Sequence, residues 1–367
     1  MDKFGFVKLK DVCNINMGQS PDSDSYNDNE DGIPFFQGNA DFGEKYPTTR
    51  KWCNAPTKIA HAEDILISVR APIGALNYAK EECCIGRGLA AITPNQDKVS
   101  SGFIYWLLKG KHKELNLQGT GSTFKAISRK VLEEIKVPDI ELKKQTELAG
   151  SLEKIYSVIQ LRKQQLEELD ILIKARFVEM FGDPIQNEKN WSRRSLEQLC
   201  HSIVDCPHST PNYISEDTGF MCIRTSVVKK NKILWDEIEY IVEDEFNQRI
   251  QRKRPEKGDI VYTREGAILG IAAIIDRNCN VALGQRSMLL SPDSSVCTSE
   301  FICTAMNSDS FLSNALRGIS GSASPHINVG DIKSFEMIAP PLELQRKFSE
   351  FNSQVDKLKV EVQKSLD

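Results

Sequence analysis

No run of about eighteen apolar residues occurs in the 367-residue sequence, so no segment of it could cross a bilayer as a helix. The stretch from Met1 to Lys10 lacks the apolar centre of an export signal, and a cytoplasmic location is expected. Histidine is scarce, at five residues, and no H-E-x-x-H pair is present to hold a catalytic zinc. There is no G-x-x-x-x-G-K-[ST] loop for nucleotide phosphates, no G-x-G-x-x-G turn after a strand, and no G-x-S-x-G nucleophile elbow. The D/N-P-P-F/Y tetrapeptide of amino-methyltransferases is also missing. Glu81-Glu82 and Glu133-Glu134 read as surface carboxylates, and no pair demands an acid–base role. These absences together argue against an enzyme. A cofactor in this chain is not expected either.

The ten cysteines form no paired C-x-x-C framework and read as reduced, mostly buried thiols. Cys200, His201, Cys206 and His208 come nearest to a metal set. Pro207 intervenes between two of them, and Cys13, the repeat counterpart of Cys200, has no such companions. A core cysteine followed by a loop is therefore the expectation, ahead of a zinc site. A net charge of −4 rules out a general polycation. It leaves sequence-specific DNA binding open, because only the surface facing the duplex must be positive.

What the sequence does contain is itself, twice. Ile85-Gly86-Arg87-Gly88-Leu89 through Pro94 answers Leu283-Gly284-Gln285-Arg286-Ser287 through Pro292. Upstream, Glu63 to Arg70 answers Gly258 to Arg264, and Leu9 to Cys13 answers Leu196 to Cys200. Downstream, Phe103-Ile104 answers Phe301-Ile302, Gly119 to Ser122 answers Ile319 to Ser322, and Val137-Pro138 answers Ala339-Pro340. The order never changes, as duplication requires. This matching sets Arg70 against Arg264, and Arg87 one position away from Arg286.

Each copy reads as a mixed α/β (α+β) globular part followed by a long helix, so the whole is a pseudo-two-fold repeat. Strands are expected at Asp64–Val69, Leu89–Ile92, Asp259–Tyr262, Ile271–Ile275 and Met288–Leu290. Short helices are expected at Gly102–Leu108 and Glu300–Asn307, and long recognition loops at Ser20–Pro34 and Ser202–Gly219. From about Glu141 to Phe181 there is no proline and one glycine, Gly150, until Gly182-Asp183-Pro184 stops the helix. Leu148, Leu152, Ile155, Ile159, Leu166, Leu169, Ile173 and Met180 make a coiled-coil seam with gaps at Arg162 and Arg176. Phe348, Phe351, Val355, Leu358, Val362 and Leu366 repeat it in a second helix, expected to be shorter and without a copy of the Arg176–Gly182 ending. The expected division is 1–140 and 183–340 for the globular domains, and 141–182 and 341–367 for the helices. The helices pack antiparallel and space the domains, or each folds back on its own domain.

The second half carries Arg224, Thr225 and Ser226, then Lys229, Lys230, Lys232, Arg249, Arg252, Lys253, Arg254, Arg264, Arg286 and Arg317. The first half offers Gln19, Ser20, Gln37, Asn39, Arg50, Lys51, Arg70, Arg87, Lys125 and Arg129. Arginine can grip guanine O6 and N7 with two hydrogen bonds, while lysines and hydroxyls position phosphates.

Asp205–Pro211, Ile223–Ser226, Gly258–Gly266, Gly284–Leu289, Pro325–Ile332, Pro340–Gln345 and Ala175–Pro184 together carry a resemblance. The chain resembles the specificity (S) subunits of type I restriction–modification systems over nearly its whole length. The first half departs more, with Val69-Arg70-Ala71-Pro72 where the second has Thr263-Arg264-Glu265-Gly266. The resemblance implies two target-recognition domains reading a bipartite site in double-stranded DNA, with the helices as a spacer and no chemistry in the chain itself. It implies two modification (M) subunits that methylate adenine with S-adenosylmethionine, and restriction (R) subunits that use ATP and magnesium. The DNA-contact candidates on this reading are Gln19, Ser20, Gln37, Arg70, Arg87, Lys125, His208, Ser209, Thr210, Arg224, Thr225, Ser226, Arg264, Glu265, Arg286, Ser322 and His326. Two other readings stay open: a protein-binding scaffold with two repeated domains, and a stand-alone nuclease or methyltransferase.

Overall fold

The apolar runs of the sequence are strands covered on both faces. In the computed structural model, which describes residues 5–120, 125–317 and 325–366, the chain divides into two compact units, Met1–Gln160 and Leu161–Asp367. The first unit is built on an antiparallel sheet of β1 (Cys13–Met17), β3 (Ile65–Ser68), β4 (Leu76–Tyr78) and β6 (Leu89–Pro94), in the order β1-β6-β3-β4. Beside it, β2 (Ile33–Phe36) and β5 (Cys83–Ile85) pair in parallel. The second unit repeats the arrangement with β7 (Cys200–Asp205), β9 (Ile260–Thr263), β10 (Ala272–Ile274) and β12 (Ser287–Pro292), in the order β7-β12-β9-β10. There β8 (Met221–Ile223) and β11 (Val281–Leu283) form the parallel pair.

Period-two alternation sends successive side chains to opposite faces. Ile65 and Ile67 of β3 enter the core beneath the helices, while Leu66 enters a second core with Phe36, Leu89 and Ala91. In the second unit Ile260 and Tyr262 of β9 face the helices, and Val261 faces Ile223 and Leu289. A sheet apolar on both sides gives the unbroken hydrophobic runs seen in the sequence. Both expected loops overlap strands: Ser20–Pro34 ends in the first two residues of β2, and the other begins differently. Ser202–Asp205 belongs to β7, because Ile203 and Val204 register against Leu290 and Leu289 of β12.

Helix α1 (Ser101–Gly110) covers the first sheet, and α4 (Ser299–Met306) covers the second, with α3 (Glu243–Arg249) at the far side of that unit. Thr298 caps α4 by accepting from the Phe301 N–H at 3.3 Å. The long helices are α2 (Leu142–Phe181, 40 residues) and α5 (Leu342–Lys364, 23 residues). Each begins on its own unit through the same buried amide. Gln145 Oε1 accepts from Ser100 N–H at 2.9 Å while Nε2 donates to Ile140 O at 2.8 Å. Gln345 does the same with Thr298 N–H at 3.0 Å and Pro340 O at 2.8 Å.

The end of α2 lies antiparallel to α5 within the second unit. Phe177 and Phe181 stack against Phe301 and Phe348 with ring centroids 4.9–5.6 Å apart. Further along, Arg176 lies over the Phe351 ring and Asp170 pairs with Lys359 at 2.6 Å. Gly182, at φ +76°, lets the chain turn away, and the Trp191 indole N–H caps the Phe181 carbonyl. Each helix thus starts on its own unit, and the two pair antiparallel where α2 ends.

Ile173, Phe348, Val355 and Val362 are buried, and Ile159, Leu166, Leu169, Met180, Phe351 and Leu366 are half-buried. The rest of the expected seam differs. Leu148, Leu152 and Ile155 are exposed because Gln145, Ala149 and Tyr156 turn the neighbouring face of α2 towards α1. Leu358 is 55% exposed, and the seam position beside it belongs to Lys359, whose stem lies between the helices. Arg162 and Arg176, the apparent gaps, are half-buried in the same line.

Replacing Gln345 by Leu strands the Thr298 N–H and the Pro340 carbonyl, a loss of about 2–4 kcal/mol. Gln145→Leu should cost a similar amount, and urea unfolding of each variant against the parent chain measures it.

Candidate nucleic-acid interface

Both sheets are buried on their faces, so polar side chains gather where strands end. In the first unit the backbone ties the ends of β1, β2 and β3 to the turn between β5 and β6. Gly18 N–H donates to Leu89 O at 2.9 Å, Gly86 N–H to Phe36 O at 2.8 Å, and Val69 N–H to Gly88 O at 2.9 Å. The crossings are close enough to require glycine. A Cβ on Gly18 would lie 2.2 Å from Gly86 O, and one on Gly88 would lie 2.2 Å from Gln37 O.

This rim brings together all six first-half candidates. Gln19, Gln37, Arg70, Arg87 and Lys125 are exposed, and their side chains have no polar partner among the described residues. Ser20 is half-buried, with its Oγ accepting from the Arg87 N–H at 3.4 Å.

The second unit repeats these crossings. Cys206 N–H donates to Ser287 O at 3.2 Å, Gly284 N–H to Ile223 O at 2.8 Å, and Arg264 N–H to Arg286 O at 3.0 Å. Ile127 N–H reaches Val69 O in one unit and Ile327 N–H reaches Arg264 O in the other, both at 2.9 Å. The register therefore corrects the sequence matching. Arg264 answers Val69, and Arg70 answers Glu265, as the bridges Arg70 to Ala126 and Glu265 to His326 also require. Similar residue type one position away had drawn the two arginines into line. Gln285 answers Arg87, and Asp205 at the end of β7 answers Met17 at the end of β1.

Arg264 is 6% exposed and committed on every side. Its Nε donates to Asp205 Oδ1 at 2.9 Å, and its Nη2 to Asp205 Oδ2 at 3.3 Å and Glu265 Oε1 at 2.8 Å. Its Nη1 reaches Ile327 O at 3.3 Å. Such a guanidinium is a positioning group. Asp205 in turn lies 3.1 Å from His208 Nε2, on the exposed side of the loop.

Three further groups hold that loop. Buried Arg249 donates to Ser209 O at 3.0 Å and pairs with Glu245 at 3.0 Å. Arg252 reaches Asp205 O at 3.2 Å, and Gln285 reaches Thr210 Oγ1 at 3.4 Å. The Glu245–Arg249 spacing of four was legible in the sequence, but its target Ser209, forty residues earlier, was not.

The exposed members of this rim are His208, Ser209, Thr210, Ser226, Arg286 and His326, with Thr225 and Glu265 half-buried. Arg224 is half-buried, pairing with Glu239 at 2.9 Å and lying over the Tyr213 ring. Arg286 sits in the left-handed region at φ +72°, and its side chain has no polar partner among the described residues. Arg286 thus combines a strained backbone with an exposed guanidinium on the rim. Ser322 lies outside the described residues.

Burial pushes the Cys200 thiol up to about 12 and raises that of Cys206, which accepts from the Ser287 N–H at 3.3 Å. Both are therefore inert protonated thiols at neutral pH.

Arg264→Val leaves Asp205 and Glu265 without their cation, and should cost about 3–5 kcal/mol. Asp205→Met combined with Arg264→Val installs the apolar pair of the first unit and should regain most of that loss. A double-mutant cycle by urea unfolding measures the coupling.

Comparison with known proteins gives these rims a context. A family model described as the type I restriction modification DNA specificity domain matches residues 1–170 and again residues 188–366. A protein of Methanocaldococcus jannaschii assigned as the MjaX type I restriction enzyme specificity subunit is 44% identical over 156 residues. That match spans 42% of this chain and only 37% of the relative. The EcoBI specificity subunit of Escherichia coli is 20% identical over 372 residues, 93% of this chain and 77% of its own length. In fold, the chain is similar to the crystal structure of a type I S subunit from M. genitalium, with a TM-score of 0.61 at 14% identity. That superposition covers 99% of this chain and 92% of the other. With the same domain matched twice along it, the chain belongs to the type I restriction modification DNA specificity family.

Proposed function

We propose that this chain is the non-catalytic DNA-reading subunit of a type I restriction–modification assembly, each unit reading one half of a bipartite duplex site. The observation that carries this reading is the rim found in both units. The same strand ends and the same turn between parallel-paired and antiparallel strands present donors and acceptors whose side chains have no polar partner among the described residues: Gln19, Gln37, Arg70 and Arg87 in one unit, Ser226, Arg286 and His326 in the other. Base edges are read by such groups, while lysines and other arginines hold phosphates.

In this reading two modification subunits dock on the chain and methylate adenine with S-adenosylmethionine. Restriction subunits supply the ATP- and magnesium-dependent steps, and the assembly works in the cytoplasm. Among the described residues no helix is long and apolar enough to cross a membrane. The 40-residue α2 joins the two readers in the chain and is about 60 Å long at 1.5 Å per residue. We assign it the spacer of the bipartite site.

Duplex binding by the chain with its modification subunits should weaken steeply as salt rises, with a log–log slope set by the phosphates neutralised. Arg286→Ala should weaken recognition of one half-site by about 1–3 kcal/mol and leave the other intact. Duplex binding absent even at low salt would favour a protein scaffold instead.

Adding one helical turn, about four residues, between Gln160 and Leu172 should change the spacer length and keep both half-sites. Sequencing of methylated adenines reads both.

A further inference from the structure

At one aligned position the two rims differ in hydrogen-bond polarity. Arg70 follows Val69 at the end of β3, and Glu265 follows Arg264 at the end of β9. The bridges to Ala126 and His326 and the crossings to Gly88 and Arg286 put the two residues in the same place. Arg70 is exposed, and among the described residues its guanidinium has no partner. It can only donate.

Glu265 is half-buried, with Oε1 held at 2.8 Å by Arg264. Among the described residues Oε2 has no partner. An ionised carboxylate can only accept.

The surroundings change with it. Around Arg70 stand Met17 and Val69, which impose no charge. Around Glu265 stand Asp205 and Arg264 at the matching positions, and Arg264 bonds both carboxylates. A carboxylate placed where phosphates approach is repelled unless a cation neutralises it and a donor meets it. Arg264 supplies the first requirement from the protein side. The second must come from the duplex.

In the major groove, guanine offers acceptors at O6 and N7, while cytosine offers an amino donor at N4. We infer that the aligned position 70/265 distinguishes the two half-sites, with Arg70 selecting guanine in one and Glu265 selecting cytosine in the other. The inference rests on the DNA-reading function proposed above. Arg264 acts here as a positioning residue for Glu265.

The test uses the full chain co-expressed with its modification subunits, incubated with a random-sequence duplex pool, and the retained duplexes are sequenced. The parent should enrich a two-part motif. R70Q should lose guanine and gain adenine at one position of one part, because a glutamine amide pairs with adenine N6 and N7. E265Q should exchange cytosine for adenine at one position of the other part. Each preference should fall roughly tenfold, as loss of a well-made base contact implies.

R70Q removes only an exposed, unpartnered group, so its fold is secure whatever happens to E265Q. Thermal melting of both variants separates loss of fold from loss of selectivity. Parental motifs from both folded variants, or both changes falling in the same part, would overturn the inference alone. A parent complex that enriches no two-part motif would overturn the proposed function as well.

Discussion

A sheet buried on both faces can address its surroundings only at the ends of its strands. That constraint shapes both units. Ile65, Ile67, Ile260 and Tyr262 face the helices, and Leu66 and Val261 face the second core, so neither surface of either sheet is free for recognition. Most of the candidate contact residues stand instead in the turns after β1, β2, β3, β7, β8 and β9 and before β6 and β12. Backbone hydrogen bonds between those turns, at 2.8–3.2 Å, fix their mutual geometry. The loops can change residue while the crossings that hold them stay the same.

The repeat shows how far such change can go. The pair at the ends of the first two aligned strands is Met17 and Val69 in one unit, and Asp205 and Arg264 in the other. An apolar pair keeps its shape by excluding water. A buried ion pair does so only if each charge is fully matched, since stranding either one is costly. Arg264 meets that condition with two carboxylates and a carbonyl. The ion pair adds little net stability over the apolar pair, but it has directional reach. Through Asp205 it extends to His208, and through Glu265 it extends to the strand edge that bears His326.

The sequence made the duplication legible where a crossing keeps its residue type: Gly86 and Gly284 stand at the same crossing, whereas Gly18 and Gly88 are answered by Cys206 and Arg286. The strands were legible because their apolar runs are continuous. The register was not. Arg70 and Arg264 look equivalent as residue types, and only hydrogen-bond partners reveal the slip of one position. The helix seam was half legible for a similar reason. Lys359 and Arg162 occupy seam positions with their aliphatic stems, which a hydrophobic pattern leaves out, while Leu358 fits the pattern and faces solvent. The anchoring role of Gln145 and Gln345 was not legible, because a buried amide is defined by partners distant in the chain.

An acidic chain is an apparent obstacle to reading an anionic polymer, yet it suits a reader of this kind. With a net charge of −4, the long-range field gives no general attraction to the duplex. The rims proposed to meet the duplex carry Arg70, Arg87 and Lys125 in one unit and Arg252 and Arg286 in the other. At the rim, the groups available for contact are mostly fixed in what they can donate or accept: the Arg70 and Arg286 guanidiniums donate, and the free Glu265 oxygen accepts. On the reading proposed above, selectivity follows from mismatched hydrogen-bond polarity, which leaves a desolvated group unpaired, more than from total attraction. The buried partners of these groups matter as much as the groups themselves, because they determine which atoms remain free.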